Sequence, residues 1–127
     1  MSAILVVDDH ADTVKAVRKL LQFASHQVEV AHSCAEARDL CKYFQPEVLL
    51  CDINLPDGSG IELAREVLLR CPEVCAIAVT GSVLEAQSLL HIGFRAVLTK
   101  PIDFAQLQEV MREVCATPAG ESAPIQR

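Results

Sequence analysis

The sequence contains no tryptophan, one tyrosine and four phenylalanines, so aromatic side chains make up only 4% of its 127 residues. Hydrophobic residues nevertheless reach 51%, which predicts a mainly aliphatic core, and the length suits one domain. No apolar run approaches the roughly 20 residues that cross a bilayer, and no basic leader precedes the first apolar segment. We therefore expect a cytoplasmic domain with no membrane association.

Positive charge is also scarce. The chain has 11 Lys and Arg against 17 Asp and Glu, a net charge of −6, and the basic residues form no cluster. Binding to a nucleic-acid backbone requires a basic surface. Direct nucleic-acid binding by this domain is therefore not expected.

Cysteine is present six times, but no two cysteines stand in a C-x-x-C pair. The positions are Cys34, Cys41, Cys51, Cys71, Cys75 and Cys115. Most of them fall in apolar runs or on predicted helix faces, so we interpret them as reduced thiols that act as small hydrophobic groups. No disulfide and no metal role is predicted for them.

Short apolar runs alternate with amphipathic segments along the chain. The runs at 4–7, 28–31, 47–52, 74–79 and 96–99 predict five buried strands. Helix start signals of the Ser-x-x-Glu type stand at Ser33, Ser59 and Ser82, and Asp103 precedes the last helix. This alternation predicts a doubly wound, flavodoxin-like α/β fold: a parallel five-stranded sheet of order 2-1-3-4-5 with five helices.

The last residues lack any periodicity and contain two prolines and a glycine. We therefore predict a domain over residues 1–116 and a flexible tail or linker over residues 117–127. The tail is compatible with a stand-alone domain and also with a C-terminal effector domain outside this chain.

The predicted topology brings three carboxylates to one edge of the sheet. Asp8 and Asp9 end the first strand and Asp52 ends the third, and in this strand order the ligand crevice lies between those two strands. Three carboxylates in one pocket repel one another unless a cation joins them. Oxygen ligands with room for water suit Mg²⁺, so we predict a magnesium site here.

Thr80 and Lys100 follow the fourth and fifth strands on the same edge. A phosphoryl group on Asp52 would need a metal, a cation and a hydroxyl donor as partners, which Mg²⁺, Lys100 and Thr80 can supply. Taken singly, these residues also suit a solvated turn, a stabilising ion pair or a strand-end hydroxyl. Their convergence predicts that Asp52 is a nucleophile that accepts a phosphoryl group.

These residues resemble the receiver domain of bacterial two-component response regulators. The matching motifs, in order over about residues 3–115, are Ile4-Leu5-Val6-Val7-Asp8-Asp9, Asp52 with Leu55-Pro56-Asp57-Gly58-Ser59-Gly60, Val79-Thr80 and Leu98-Thr99-Lys100-Pro101. The resemblance implies a signalling phosphoprotein that takes phosphate from a phosphohistidine on a sensor histidine kinase or a histidine phosphotransfer protein. Phosphorylation would then switch the loop and helix after strand four, which would control a partner or output domain.

The resemblance also implies roles for individual residues. Asp9, Asp52 and the backbone carbonyl of Asn54 would ligate Mg²⁺ directly, and Asp8 would act through water. Thr80 would move toward the phosphoryl group and Lys100 would bond it. The peptide bond between Lys100 and Pro101 is expected to be cis, and a homodimer is possible.

The chain departs from the family pattern in three ways: the residue at position 97, the spacing from Thr80 to Lys100, and the residue at position 81. Val97 stands where receivers usually carry Tyr or Phe, and Phe94 is three residues out of register and is expected to pack as an apolar group near Gly93. The spacing from Thr80 to Lys100 is about two residues short, and Gly81 replaces a small alanine, which should loosen the loop. We expect the phosphorylation chemistry to be intact and the region of helix four to respond to it.

Three other functions are compatible with parts of the pattern. The complete acceptor set argues against a degenerate receiver that acts as a constitutive protein-interaction module, but Val97 keeps this alternative open. A small Mg²⁺-dependent phosphohydrolase would place a second Asp where Asn54 stands, and would need a cap insertion. A flavodoxin-like FMN binder would need a phosphate loop where Asp8 and Asp9 stand.

Overall fold

Aliphatic residues form five parallel strands at the centre of the molecule. The computed structural model describes residues 2–82, 86–115 and 125–126. The strands are β1 (Ala3–Val7), β2 (Gln27–Ala31), β3 (Val48–Asp52), β6 (Cys75–Thr80) and β7 (Ala96–Thr99). They pair in the order β2-β1-β3-β6-β7, and every neighbouring pair is parallel. The predicted fold class and strand order are confirmed.

Three further strands of two residues each were not predicted from the sequence. Strands β4 (Asn54–Leu55) and β5 (Gly58–Ser59) form a small antiparallel hairpin directly after β3. Strand β8 (Ile125–Gln126) adds to the main sheet in parallel with β7. The predicted flexible tail stays a prediction, because residues 116–124 and 127 lie outside the described part of the chain.

Five helices connect the strands. They are α1 (Ala11–Phe23), α2 (Cys34–Leu40), α3 (Gly60–Arg70), α4 (Ala86–Ile92) and α5 (Phe104–Val110), and a π-helical turn (Met111–Cys115) continues α5. None of the described helices is long and apolar enough to cross a membrane.

The helix ends follow the capping chemistry of the sequence. Ser33 caps α2 by accepting a hydrogen bond from the amide of Glu36, and Asp103 caps α5 in the same way from Gln106. Helix α4 ends before Gly93, whose φ of 129° is readily adopted by glycine alone. The start signal at Ser82 includes residues 83–85, which lie outside the described residues.

The sheet carries a hydrophobic layer on each face. One layer packs β-strand residues such as Leu5 and Leu49 against α2, α3 and α4, and it includes the buried Phe44 and Phe94. The other packs alternate strand residues against α1 and α5, and its wholly buried members are aliphatic. The period-2 alternation of the strands therefore fills both layers, and the predicted mainly aliphatic core is confirmed.

Among the cysteines whose side chains the structure describes, Cys75 differs from the prediction. Four of them, Cys34, Cys41, Cys51 and Cys71, are free thiols. Burial raises the pKa of the Cys51 thiol far above its usual range, which keeps it protonated and unreactive. Cys75, however, is disulfide-bonded. The prediction that all six are reduced is wrong there, because disulfide formation depends on distances that spacing along the chain does not give.

Gly60 lets α3 begin directly against the end of β3. A Cβ at this position would lie 2.1 Å from the carbonyl oxygen of Asp52, and 2.9 Å from both the Cys51 Sγ and the Ile53 Cα. The amide of Gly60 also donates a hydrogen bond to the Ile53 carbonyl at 3.0 Å. Two of these neighbours are backbone atoms that cannot move aside, so the close approach requires glycine.

Asp57 ties the loop after β3 to the start of α2. Its Oδ1 accepts a hydrogen bond from the Cys34 amide at 2.8 Å, and its Oδ2 accepts one from the Ala35 amide at 3.0 Å. These amides are among the donors that a helix start leaves unpaired. Their hydrogen bonds hold the pKa of the Asp57 carboxyl below its usual range.

Replacement of Gly60 by alanine should destabilise the protein strongly. We expect Gly60→Ala to lower the free energy of unfolding by about 3 kcal/mol, the upper end of the usual cost of overpacking. The measurement is urea unfolding followed by circular dichroism. Gly81→Ala is the matched control, because an added Cβ there meets nothing within 4 Å, and its change should stay within about 0.5 kcal/mol. Equal effects of the two substitutions would contradict the close-approach argument.

The contribution of Asp57 should depend on pH. Since the folded-state pKa lies below the unfolded value of about 3.9, the ionised carboxyl stabilises the fold above that value, and the effect is lost as pH falls through the folded pKa. Asp57→Asn should therefore be less stable than the wild type at pH 7, and the difference should shrink as the pH falls from about 5 to about 3. Urea midpoints across this range give the test. A difference that stays constant with pH would rule out a role for the charge.

Candidate functional site

Adjacent parallel strands place the three predicted carboxylates together. Strands β1 and β3 pair up to Val7 and Cys51, so the residues that follow, Asp8 and Asp52, emerge side by side at the same edge. Both have side chains that are almost fully buried, whereas Asp9 is exposed. Each contributes an oxygen to a group whose ligand atoms all lie within 4.8 Å of one another. The structure therefore brings together Asp8, Asp9 and Asp52 as the topology predicts.

Lys100 supplies the cation of this group. Its Nζ donates to Asp52 Oδ2 at 2.6 Å and lies 3.6 Å from Asp8 Oδ2. Burial favours the neutral amine, but the hydrogen bond to Asp52 and the charges of Asp8 and Asp52 outweigh it and raise the pKa of Lys100. The amine therefore stays charged, and the peptide bond to Pro101 is cis, as predicted.

His10 is a member of the cluster that sequence reasoning missed. Its Nδ1 lies 2.9 Å from Asp8 Oδ1, 3.4 Å from Asp9 Oδ1 and 3.9 Å from Asp52 Oδ2. The same atom is 3.2 Å from the Nζ of Lys100. The available signal was its position directly after the two aspartates.

Thr80 ends β6 at the same edge, and Gly81 follows it. The Thr80 side chain is buried, and its Oγ1 accepts a hydrogen bond from the Ser82 amide at 3.1 Å. Its carbonyl accepts one from the Lys100 amide at 2.9 Å, which fixes the ends of β6 and β7 to each other. Gly81 is exposed. Thr80 thus lies at the same edge of the sheet as the cluster, and its hydroxyl accepts a hydrogen bond from the segment that leads toward α4.

Asn54 and Val97 occupy different environments. The amide of Asn54 donates to Asp52 Oδ1 at 3.0 Å, which orients the carboxylate. Ligation by the Asn54 carbonyl stays a prediction. Val97 is fully buried and belongs to the hydrophobic layer beneath α4, not to the polar cluster. Phe94 is expected from the sequence to be an apolar group either in the core or at the surface near Gly93, and the structure buries it in the same layer.

The donor set fits a divalent cation. Two buried carboxylates face one lysine, so the pocket holds more negative than positive charge, which a metal ion can balance. Carboxylate oxygens are also the ligands preferred by hard cations. With a metal bound, the cluster combines a carboxylate nucleophile, a metal centre and an ammonium group, and a hydroxyl stands close by on Thr80. These are the components of phosphoryl transfer to a protein side chain.

Comparison with known proteins identifies the family. A profile described as "Response regulator receiver domain" matches residues 4–112. Response regulator protein PilR of Pseudomonas aeruginosa is 33% identical over an alignment 129 residues long, gaps included. The alignment covers 95% of this chain and 28% of PilR. A 14.6 kDa protein of Leptolyngbya boryana is 35% identical over 116 residues, which cover 88% of each chain.

Solved structures agree with these relatives. The crystal structure of a response regulator receiver domain protein (CheY-like) from Methanospirillum hungatei JF-1 superposes with a TM-score of 0.84 at 30% identity. The match covers 91% of this chain and 94% of that one. From the profile, the relatives and the shared fold, we conclude that the chain belongs to the response regulator receiver domain family.

Proposed function

We propose that Asp52 accepts a phosphoryl group from the phosphohistidine of a sensor histidine kinase or of a histidine phosphotransfer protein, in a reaction that requires Mg²⁺. The observation that carries the proposal is the contact of 2.6 Å between Lys100 Nζ and Asp52 Oδ2, inside the cluster of Asp8 and Asp9. Receiver domains are signalling domains that work with such partners and bind Mg²⁺ at an acidic pocket. The proposed place of action is the cytoplasm.

The residues divide the chemistry among them. Asp9, Asp52 and the Asn54 carbonyl would hold Mg²⁺ directly, with Asp8 acting through water, and the ion would neutralise charge on the phosphoryl oxygens. An oxygen of Asp52 forms a bond to phosphorus while the bond from phosphorus to the donor's imidazole nitrogen breaks. In this structure the Lys100 amine donates a hydrogen bond to Asp52. After the transfer it would donate to an oxygen of the phosphoryl group.

Thr80 would convert the new phosphoryl group into a change of loop conformation. Its Oγ1 now accepts a hydrogen bond from the Ser82 amide. Donation of the same hydroxyl to a phosphoryl oxygen requires the side chain to turn toward Asp52, which alters the bond to Ser82. Gly81 lies between them, without a side chain to restrain the backbone. The loop and α4 would therefore shift, and this shift would control a partner or output domain.

A shallow apolar groove beside Asp52 supports partner docking at this edge. It runs between α1 and the segment after β7, from His10 and Lys100 along Ala16, Leu20, Ile102 and Phe104. Leu20 is 42% exposed although apolar, and apolar surface next to a reactive group suits a docking protein. The signal could be read by an effector domain or by a second copy of this chain in a homodimer. The relative PilR is much longer than this chain, which is compatible with an effector domain.

Phosphorylation should depend on Asp52 alone. Incubation of the full chain with acetyl phosphate and Mg²⁺ should add the mass of one phosphoryl group, detected by intact-mass spectrometry, and Asp52→Asn should abolish it because an amide is not a nucleophile here. Asp12→Asn, an exposed carboxylate in the first turn of α1, is the control and should keep the adduct. Absence of any adduct would favour a constitutive interaction module. Turnover of a phosphate ester without an adduct would favour a hydrolase.

The response to phosphorylation should be centred on α4. We expect beryllofluoride with Mg²⁺ to shift the amide NMR signals of residues 81–92 more than that of Val97, because a buried valine has no ring that could change position. The comparison of spectra with and without beryllofluoride measures this, and Asp52→Asn should remove the response. Unchanged signals at residues 81–92, or a larger shift at Val97, would contradict the proposed route.

A further inference from the structure

We propose that His10 is a ligand of the divalent cation in the acidic cluster and that it makes the site accept imidazole-binding cations, such as Co²⁺, more tightly than an all-oxygen site would. The inference deepens the proposed function, because it concerns the metal of the same site. It rests on the position of one ring nitrogen relative to the carboxylates. It does not depend on whether Asp52 is phosphorylated.

The backbone directs the His10 ring into the cluster. His10 stands at the N-cap position of α1, but its side chain does not cap the helix. Its amide instead donates to Asp8 Oδ1 at 2.8 Å, which folds the turn back toward the carboxylates. The ring follows the same direction, so that Nδ1 points into the group although more than half of the side chain is exposed.

The distances suit ligands of one ion. Two ligands at right angles around a cation, each about 2.1 Å from it, lie about 3 Å apart. Nδ1 of His10 is 2.9 Å from Asp8 Oδ1 and 3.4 Å from Asp9 Oδ1. The imidazole nitrogen and the Asp9 oxygen are therefore already spaced nearly as neighbouring ligands of one ion, and Asp8, which would act through water, lies beside them.

When no cation is bound, the Nδ1 of His10 can pair with only one of its two nearest polar neighbours. If Nδ1 carries a hydrogen, it can donate to Asp8 Oδ1, but it then faces the Nζ of Lys100, which is a donor only, at 3.2 Å. If Nδ1 carries a lone pair, it can accept from Lys100 but faces the Asp8 oxygen as a second acceptor. A metal ion removes the conflict with Asp8, because Nδ1 can then ligate the ion while Asp8 interacts with the ion through water.

Imidazole ligation has a consequence for metal choice. Mg²⁺ takes oxygen ligands and keeps several waters, so it gains little from a nitrogen ligand. Later first-row cations bind imidazole well. Carboxylates alone already bind Co²⁺ more tightly than many other cations. The informative quantity is therefore the change in the affinity for each metal when the imidazole is removed.

The test compares His10→Gln with a matched control. His32 is also an exposed histidine whose Nδ1 lies near a carboxylate, 3.4 Å from Glu36 Oε1, but it is distant from the cluster in sequence and outside the group of potential ligands. Calorimetric titration of the full chain with Co²⁺ and with Mg²⁺ gives the affinities for the wild type, His10→Gln and His32→Gln. We expect His10→Gln to weaken Co²⁺ about tenfold or more while Mg²⁺ changes by no more than about twofold, and His32→Gln to leave both unchanged.

A spectroscopic measurement identifies the ligand directly. The X-ray absorption spectrum of the Co²⁺ complex should contain the outer-shell scattering of one imidazole ring, which His10→Gln removes and His32→Gln retains. The proposal is overturned if His10→Gln binds Co²⁺ as the wild type does, if the ring scattering persists in it, or if both metals weaken equally. Loss of the scattering in His32→Gln would also overturn it.

The proposed function and this inference fail separately. If His10 is not a ligand, His10→Gln lacks the loss of Co²⁺ affinity, yet the Mg²⁺-dependent mass adduct on Asp52 still forms. If Asp52 is not a phosphoacceptor, no adduct forms in any variant, yet the imidazole scattering and its loss in His10→Gln are still observed.

Discussion

The functional edge of the molecule depends on the pairing of Lys100 with two buried carboxylates. Asp8 and Asp52 are each only 3% exposed, and unpaired charges at such positions are strongly destabilising. Lys100 can serve both because β1, β3, β6 and β7 are parallel and end at the same edge. The excess of negative charge is what makes the site receptive to a metal ion. Because of the same imbalance, replacement of Lys100 by a neutral residue would lower the free energy of unfolding by more than the contribution of one hydrogen bond.

Two contacts around the loop after β3 hold Asp52 in this pairing. Gly60 allows the start of α3 to touch the backbone of Asp52, and Asp57 anchors the other end of the loop on α2, more than 20 residues earlier in the chain. The loop is thus fixed on both sides while the loop after β6 is held at Thr80 through Ser82. Under the proposed function, the rim of the pocket that carries Asp52 would therefore be held in place from both sides during the chemistry.

Much of this could be predicted from the sequence, because periodicity and topology act over the whole chain. The strand 96–99 and the capping roles of Ser33 and Asp103 were predicted residue by residue, and the strand order alone placed Asp52 near Asp8. The rest depends on distances in space. A turn of the backbone brings the His10 ring to the carboxylates, and the disulfide at Cys75 depends on the distance between two thiols. Strands of two residues, such as β4, are too short to show a period.

Under the proposed function, the valine at position 97 limits the routes by which a signal can travel in this receiver. Val97 packs in the same layer as Leu89 of α4 and the buried Phe94, so an aliphatic side chain fills this position. A receiver that uses a ring as its reporter changes a side-chain position at the surface. Under the proposed function, one connection from the pocket toward α4 within the described residues is the backbone from Thr80 through Gly81 to Ser82. It is coupled to β7 by the hydrogen bond from the Lys100 amide to the Thr80 carbonyl. Under the proposed function, the event at Asp52 therefore reaches the surface as a displacement of α4 itself, and a partner that reads it must contact that helix.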